Sequence, residues 1–246
     1  MRWTAIIVVV VLVGFIVYSV MYPSTSYRFR ITLNVDTPQG LKSGSSVMEV
    51  RDRRYPAWTT LGNNTGESSL KGEAVFVDLG LGADVKPRNV VALLTLGPRG
   101  EDVDFYLLPG KVFEPLWKKK FGTPEFRGTS WELAKLPPGT HAELRGNLIP
   151  TLVTFADLND PKTARAVRPN EFAQAFGQGV ALRDVGIEIV SAGTWPLTLL
   201  GLGGDPVTHG IEKNLGWWSG SNRPAAVALR VAQLHLGEPE LAFKRD

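Results

Sequence analysis

The chain has 246 residues, of which 43% are apolar and 21% charged, and these ordinary shares exclude a disordered tail and a multi-span transporter. The net charge of +3 is too weak to indicate nucleic-acid binding, which needs clustered basic residues. The absence of cysteine excludes disulfides, zinc–thiolate sites and thiol nucleophiles.

The first element is an uninterrupted apolar segment from Thr4 to Tyr22, TAIIVVVVLVGFIVYSVMY, which Pro23 ends. As a helix, these residues span about 28 Å, close to the ~30 Å hydrocarbon core of a bilayer. The alternative is a cleaved signal peptide, but the segment is longer than a typical signal-peptide core and no A-x-A site follows it. We therefore predict an uncleaved transmembrane signal anchor over residues 1–23, with residues 4–22 in contact with the lipid bilayer.

The remaining residues, 24–246, are predicted to form one extracytoplasmic domain. Arg2 precedes the apolar segment whereas Arg28 and Arg30 follow it, so local charge alone does not fix the orientation. A long domain after a first apolar segment is what a signal anchor exports. We therefore predict a single-pass protein of the cell inner membrane, with its N-terminus in the cytoplasm and its domain in the periplasm.

Residues 27–36, YRFRITLNVD, alternate apolar and polar side chains, which is typical of a half-buried strand. Thr37-Pro38-Gln39-Gly40 is a turn signal, and Ser46 to Arg51 alternates again. These two runs predict an antiparallel hairpin with a long connection. Because only a few residues separate Pro23 from the first strand, the domain is expected to lie close to the membrane.

Further elements are predicted along the rest of the chain. Residues 55–72 are rich in Gly, Asn and Ser and are interpreted as a loop. Strands are predicted at 73–79, 89–96, 103–108, in two runs within 140–155, and around 185–189. Short helices are predicted within 111–121, around 210–215, and in PNEFAQAF, where Pro169 is the first helical residue and Gly177 the C-cap. The predicted fold class is mainly β (α+β): an N-terminal transmembrane helix and then two antiparallel β-rich layers with a few short helices.

No motif in the sequence names a reaction. His141, His209 and His235 are isolated and match no metal-ligand spacing, and G-x-S-x-G is absent. Asp102 and Asp104 share a face at period two, but a solvated face is the favoured interpretation over a glycosidase pair. The sequence therefore predicts no catalytic residue, metal ligand or cofactor, and an enzyme with a dispersed site remains an alternative.

A long apolar stretch near the C-terminal end is the best candidate for an interaction surface. It either packs onto the core or meets a protein partner or the membrane surface. Its residues are Trp195, Leu197, Leu199, Leu200, Leu202, Trp217 and Trp218.

Three segments resemble a family of uncharacterised, membrane-anchored extracytoplasmic proteins of proteobacteria. They are LNVDTPQGLKSGSSVMEVR, LVTFADLNDPKTARAVRPNEFAQAFGQGVALRDVGIEIV and PVTHGIEKNLGWW. This resemblance implies an anchor and an exported domain but no activity. A weaker one is to MCE lipid-transport domains, through the anchor and the run from Gly40 to Val47, whereas Met48 to Arg54 depart from the MCE pattern.

The leading hypothesis from sequence is a non-catalytic, membrane-tethered domain that binds a protein or another component of the cell envelope. Two other classes stay open. One is an MCE-like lipid-handling module. The other is a hydrolase with a dispersed site that acts on envelope substrates.

Overall fold

The chain is mainly β, as predicted, with two antiparallel sheets and a few short helices. The structure is a computed structural model. It describes residues 2–21, 24–55, 66–82, 87–117, 128–193, 197, 203–218, 234, 236 and 239–245.

The strands divide into sheet 1 and sheet 2. Sheet 1 has six strands, in the spatial order β10 (Lys244–Arg245), β3 (Gly66–Glu73), β2 (Gly40–Arg54), β1 (Ser24–Thr37), β9 (Ala181–Val190) and β6 (His141–Glu143). Sheet 2 has four, in the order β4 (Val75–Leu81), β5 (Pro87–Leu96), β7 (Pro150–Phe155) and β8 (Ala164–Ala166). The α-helices are α1 (Arg2–Met21), α2 (Leu108–Phe113), α3 (Thr129–Leu133), α4 (Phe172–Phe176) and α5 (Pro239–Phe243).

The β1–β2 hairpin is the centre of sheet 1. The apolar residues of β1, from Tyr27 to Val35, are buried, and the alternating polar residues face outward, as predicted. The connection is only Pro38-Gln39, because Thr37 pairs with Gly40, so the predicted long connection is wrong. Residues 40–45, GLKSGS, lack an apolar alternation, yet β1 supplies their backbone partners.

Two other sequence predictions are corrected. Residues 66–72, predicted as loop, belong to β3, which pairs with β2 even though Leu70 is its only large apolar side chain. Residues 103–108, predicted as a strand, contain a 3-10 helix at Phe105–Leu107 that leads into α2. Phe105 and Leu108 are both buried, and their spacing of three suits a helical turn better than a strand.

Sheet 2 is buried on both faces. Val90, Ala92 and Leu94 of β5 share a core with the inner face of sheet 1. Val91 and Leu93 face the opposite way, into a second core. That second core also contains Phe155, Ile211, Leu215, Trp218, Leu234, Leu236, Ala242 and Phe243. Burial on both faces explains why β5 reads as an unbroken apolar run.

The predicted helix around PNEFAQAF is present. A 3-10 turn at Pro169–Glu171 leads into α4, and Gly177 ends the helix with a φ of 100°. Phe172 and Phe176, one turn apart, bury this face of α4 in the core below sheet 1.

The N-terminal segment is helical from Arg2 to Met21, and Tyr22 and Pro23 lie outside the described residues. Its side chains are described only at positions 6–14 and 17. Over the described part of the chain, no helix qualifies as a candidate membrane span. The transmembrane assignment therefore stays a prediction from sequence.

Candidate functional site

A cleft of about 440 Å³ lies beside the ends of β5 and β7. It is lined by residues 97–98, 146–147, 149–152 and 167–170. Because Pro98, Pro150 and Pro169 lie around it, we name it the proline cleft. Its volume falls in the ~300–1,000 Å³ range of small-molecule sites.

The floor of the proline cleft is apolar and held by the sheet. Pro150, Thr151, Leu152 and Val167 are all buried. The N–H of Val167 donates to the carbonyl of Leu152 at 2.9 Å, which extends the β7–β8 pairing into the cleft. The hydroxyl of Thr151 donates to the carbonyl of Gly97 at 2.7 Å, so the buried hydroxyl has a hydrogen-bond partner. Together, these two hydrogen bonds connect residues 97–98, 149–152 and 167–170 of the lining.

The rim is polar. Asn147, Arg168 and Asn170 are exposed at the mouth. Within the described part of the chain, neither the Asn147 nor the Asn170 side-chain amide makes a hydrogen bond. Both amides are therefore available to a ligand.

The backbone of Arg168 is fixed by its position at the start of a turn. Its N–H donates to Oε2 of Glu171 at 3.1 Å, and Pro169 follows with a ring that fixes φ. The Arg168 side chain is 59% exposed, and its Nη1 lies 3.9 Å from Oε1 of Glu171, which is a loose ion pair. Among the described residues, Arg168 is the only charged side chain that lines the proline cleft, so its mouth favours neutral or anionic groups.

A second cavity, of about 280 Å³, lies beside the β1–β2 turn and the end of α4. Its cation, Arg88, donates to the carbonyl of Phe176 and so holds the end of α4 against β5. This arrangement is a structural tie and leaves the guanidinium less suited to a ligand.

The predicted interaction surface is divided. Leu197 is 49% exposed, while Trp195, Leu199, Leu200 and Leu202 lie outside the described residues. Trp217 and Trp218 instead pack onto the second core, against Phe155 and Phe243. Trp218 is buried there, and Trp217 is partly buried against the same cluster.

The candidate catalytic groups do not converge. His141 is exposed, with Nδ1 3.1 Å from the carbonyl of Gly139, and His235 lies outside the described residues. Within the described ranges no group of His, Asp and Glu could hold a metal ion. Asp102 accepts the N–H of Asp104 at 2.9 Å, and this bond, with Lys111 beside it, lowers the pKa of Asp102. The two aspartates therefore form a turn, not an acid–base pair.

His209 lies next to a buried carboxylate. Its Nδ1 is 3.9 Å from Oε1 of Glu73, and Lys244 Nζ is 3.3 Å from the same oxygen. Glu73 Oε2 accepts the N–H of Ile211 at 2.7 Å. This cluster ties the C-terminal segments to β3, and Glu73 is only 1% exposed, so its geometry is that of a structural clamp.

Sequence reasoning did not single out Asn147, Arg168 or Asn170. Arg168 and Asn170 flank the Pro169 that predicted a helix start, but nothing in the sequence shows that Asn147 lies opposite them. Comparisons with protein-family models, with curated proteins and with solved structures find no match for this chain. Function is therefore inferred from the geometry of the chain's own residues.

Proposed function

We propose that the chain is a membrane-tethered, extracytoplasmic binding module without catalytic activity, and that the proline cleft is its binding site. The observation that carries this proposal is the cleft itself, with a buried apolar floor and a polar rim. That combination is typical of sites that bury a small ligand and fix its orientation with a few polar groups.

The titratable groups of the cleft support binding over catalysis. Arg168 is the only titratable residue of the described chain that lines it, and an arginine stays protonated in proteins. The hydroxyl of Thr151 is engaged by Gly97 and Thr95, and no described lining residue is a base that could activate it, as a nucleophile would need. A site of this composition can hold and orient a ligand but offers no proton transfer.

The tether is supported by the surface of α1. Its aliphatic side chains from Ile6 to Val13 are between 54% and 64% exposed, and Val17 is 49% exposed; the run from Ile6 to Val13 continues all around the helix. Burying such a side chain fully is worth about 1.5–3 kcal/mol, so together these residues favour an apolar surrounding by on the order of 10 kcal/mol. A bilayer supplies that surrounding.

The domain is expected to lie against the lipid headgroups. β1 begins at Ser24, three residues after α1 ends, so the Cα atoms of Met21 and Ser24 are at most about 11 Å apart. Arg53 pairs with Ser24 and Arg51 with Ser26, and both arginines are exposed. Cationic side chains so close to a membrane-embedded helix are attracted to anionic headgroups.

The binding function is tested in cells with the full chain. A photoactivatable diazirine amino acid is placed at Asn170 on the rim or, as a control, at Ala173 on the exposed side of α4. Intact-mass measurement after illumination is expected to show a discrete added mass at position 170 and none at 173. Equal labelling at both positions, or none at either, contradicts the proposal.

The tether is tested separately. The full chain is expected to stay with membranes after an alkaline wash, and a chain without residues 1–23 is expected to leave them. Because the chain has no cysteine, a single Gln178→Cys substitution reports the side of the membrane. Labelling of intact spheroplasts by an impermeant maleimide is expected, and labelling only after lysis contradicts the periplasmic location.

A further inference from the structure

We propose that the proline cleft binds a ligand with one carboxylate on a short aliphatic body, and that the guanidinium of Arg168 is the partner of the carboxylate. The inference deepens the proposed binding function and rests on it. It names the chemical class of the ligand, which is shared by small free carboxylic acids and by the C-terminal carboxylate of a peptide.

The charge of the cleft determines which ligand headgroup it favours. Of the residues that the structure describes, Arg168 is the only charged one in its lining, and a guanidinium can donate two parallel hydrogen bonds to a carboxylate. One positive charge balances one carboxylate, whereas a phosphate dianion would leave a negative charge uncompensated in a site with an apolar floor. A cationic ligand would be repelled.

The rim amides complete the polar end. Asn147 lies on the turn before β7 and Asn170 lies two residues after Arg168, and both line the cleft. Each amide supplies two N–H donors, which add to those of the Arg168 guanidinium at the mouth. This donor-rich rim matches an ionised carboxylate, which only accepts hydrogen bonds.

The floor selects the body of the ligand. Leu152 and Val167 are buried beneath the mouth, and Ile149 is half-buried beside them. Three backbone groups there are already paired, since the Val167 N–H donates to the Leu152 carbonyl and the Ile149 N–H donates to the Gly146 carbonyl. An aliphatic chain can therefore cover the floor without leaving a buried polar group unpaired.

The strength of ligand binding depends on how strongly Arg168 is already paired with Glu171. Their charged atoms are 3.9 Å apart and the Arg168 side chain is 59% exposed, so the ligand carboxylate displaces only a weak interaction. A ligand of eight heavy atoms is then expected to bind with a Kd of about 1 mM.

The test uses the full chain in nanodiscs of zwitterionic lipid, with methyl NMR signals of Ile149, Leu152 and Val167 as the readout. The probes are hexanoate, hexanamide and hexylamine, which share one body and differ in the head. Hexanoate is expected to shift these signals saturably, hexanamide at least tenfold more weakly, and hexylamine not at all. N-acetyl-Ala-Leu with a free carboxylate is compared with its amide, and tighter binding than hexanoate identifies a peptide C-terminus as the source.

Two arginine variants make the test specific. Arg168→Gln is expected to weaken hexanoate binding at least tenfold, because a hydrogen bond to a charged group is lost. Arg165→Gln removes an exposed arginine from β8 that does not line the cleft, and its binding is expected to be unchanged. Unchanged methyl signals of the buried Ile31 and Leu33 show that both variants fold.

The inference is overturned if hexylamine or hexanamide binds as tightly as hexanoate, or if Arg168→Gln binds hexanoate as the unsubstituted chain does. A discrete adduct at Asn170 in cells together with no carboxylate binding would leave the binding function standing and reject the ligand class. No adduct and no probe binding would reject both.

Discussion

Oε1 of Glu73 lies 3.3 Å from Nζ of Lys244, at a point where the Glu73 side chain is only 1% exposed. Glu73 is the last residue of β3, and the chain crosses from sheet 1 to sheet 2 at Ala74, whose N–H donates to the carbonyl of Phe243. The other carboxylate oxygen accepts the N–H of Ile211. One side chain therefore joins the crossing point, the 3-10 turn at Ile211 and the C-terminal end.

Glu73→Ala is expected to lower the free energy of unfolding by about 3–5 kcal/mol, because it leaves the buried N–H of Ile211 without its acceptor and removes the carboxylate beside Lys244. Lys244→Met is expected to be comparably damaging, because it removes a cation 3.3 Å from the Glu73 carboxylate, which is only 1% exposed, and leaves that buried charge less compensated. Both values are measured by denaturant unfolding, followed by tryptophan fluorescence, to which Trp217 and Trp218 of the adjoining core contribute.

The matched control for this clamp is Glu143→Gln. Glu143 pairs with Arg145 at 2.6 Å, but the two side chains are 46% and 80% exposed, and solvent screening leaves such pairs with little effect on stability. Its unfolding midpoint is expected to match that of the unsubstituted chain. If Glu73→Ala unfolds at the same midpoint as Glu143→Gln, the clamp does not exist as described.

Gly44 and Gly186 provide a second matched pair. A Cβ at Gly44 of β2 would lie far inside van der Waals distance of the carbonyl oxygen of Phe76 and 2.9 Å from Cγ2 of Val77. A Cβ at Gly186 of β9 would meet nothing within 4 Å. Gly44 is therefore the point where sheet 2 approaches sheet 1 too closely for a side chain.

Gly44→Ala is expected to destabilise the chain by about 1–3 kcal/mol, because the obstructing atom belongs to the backbone of β4 and cannot rotate away. Gly186→Ala is expected to be neutral or to stabilise by up to about 1 kcal/mol, through the lower entropy of the unfolded chain. Thermal unfolding of both variants measures the difference. Equal melting temperatures would contradict the close approach of the two sheets.

The sequence predicts those elements whose own pattern is strong. β1 and β9 alternate because one face of sheet 1 is buried and the other solvated, and β5 is apolar throughout because both of its faces are buried. β3 could not be predicted in this way. It has one large apolar residue, Leu70, and its strand conformation is due to its pairing with β2 and β10.

The candidate site was beyond sequence reasoning for a related reason. Pro98, Asn147 and Arg168 meet because Leu96 pairs with Pro150 and Val153 with Ala166. Those registers are set by long-range packing, and no local signal encodes them. The same limit applies to Trp217 and Trp218. Their sequence is compatible with an exposed or a buried position, and it is their packing against Phe243 that makes them part of a core.

Tyr27 makes the fold sensitive to alkaline pH. Its ring is 3% exposed, and burial, followed by the charge of Asp52, raises the pKa of Tyr27 well above its usual value. The unfolded chain therefore loses this proton near pH 10 while the folded chain keeps it, so stability falls as pH rises above about 10. Tyr27→Phe removes the effect and is expected to keep about 1.4 kcal/mol of stability at pH 11 that the unsubstituted chain loses.

Unfolding midpoints between pH 8 and 11 measure this difference. The hydrogen bond from Tyr27 to the carbonyl of Tyr106 is long, at 3.5 Å, so its loss is expected to change the midpoint little at pH 8. Tyr55→Phe is the comparison at the surface: the hydrogen bond to Glu67 raises the pKa of Tyr55 as well, but water solvates its phenolate, so a smaller change than that of Tyr27→Phe is expected. Parallel pH curves for Tyr27→Phe and the unsubstituted chain would show that Tyr27 does not govern alkaline unfolding.

The two ends of the β1–β2 hairpin are expected to differ in their distance from the bilayer. Arg53 pairs with Ser24, three residues after α1 ends, whereas Gln39 lies in the turn at the far end. The two positions are separated by about 45 Å along β2. Single-cysteine variants Arg53→Cys and Gln39→Cys carry a fluorophore without background labelling, because the chain has no cysteine of its own.

In nanodiscs that contain lipids with a nitroxide on the headgroup, the fluorophore at position 53 is expected to be strongly quenched and the one at position 39 much less. The physical reason is the short connection, which keeps the Cα of Arg53 within about 17 Å of the Cα of Met21. Equal quenching would mean that the hairpin lies flat on the bilayer, and no quenching at position 53 would mean that α1 does not hold the domain at a membrane at all.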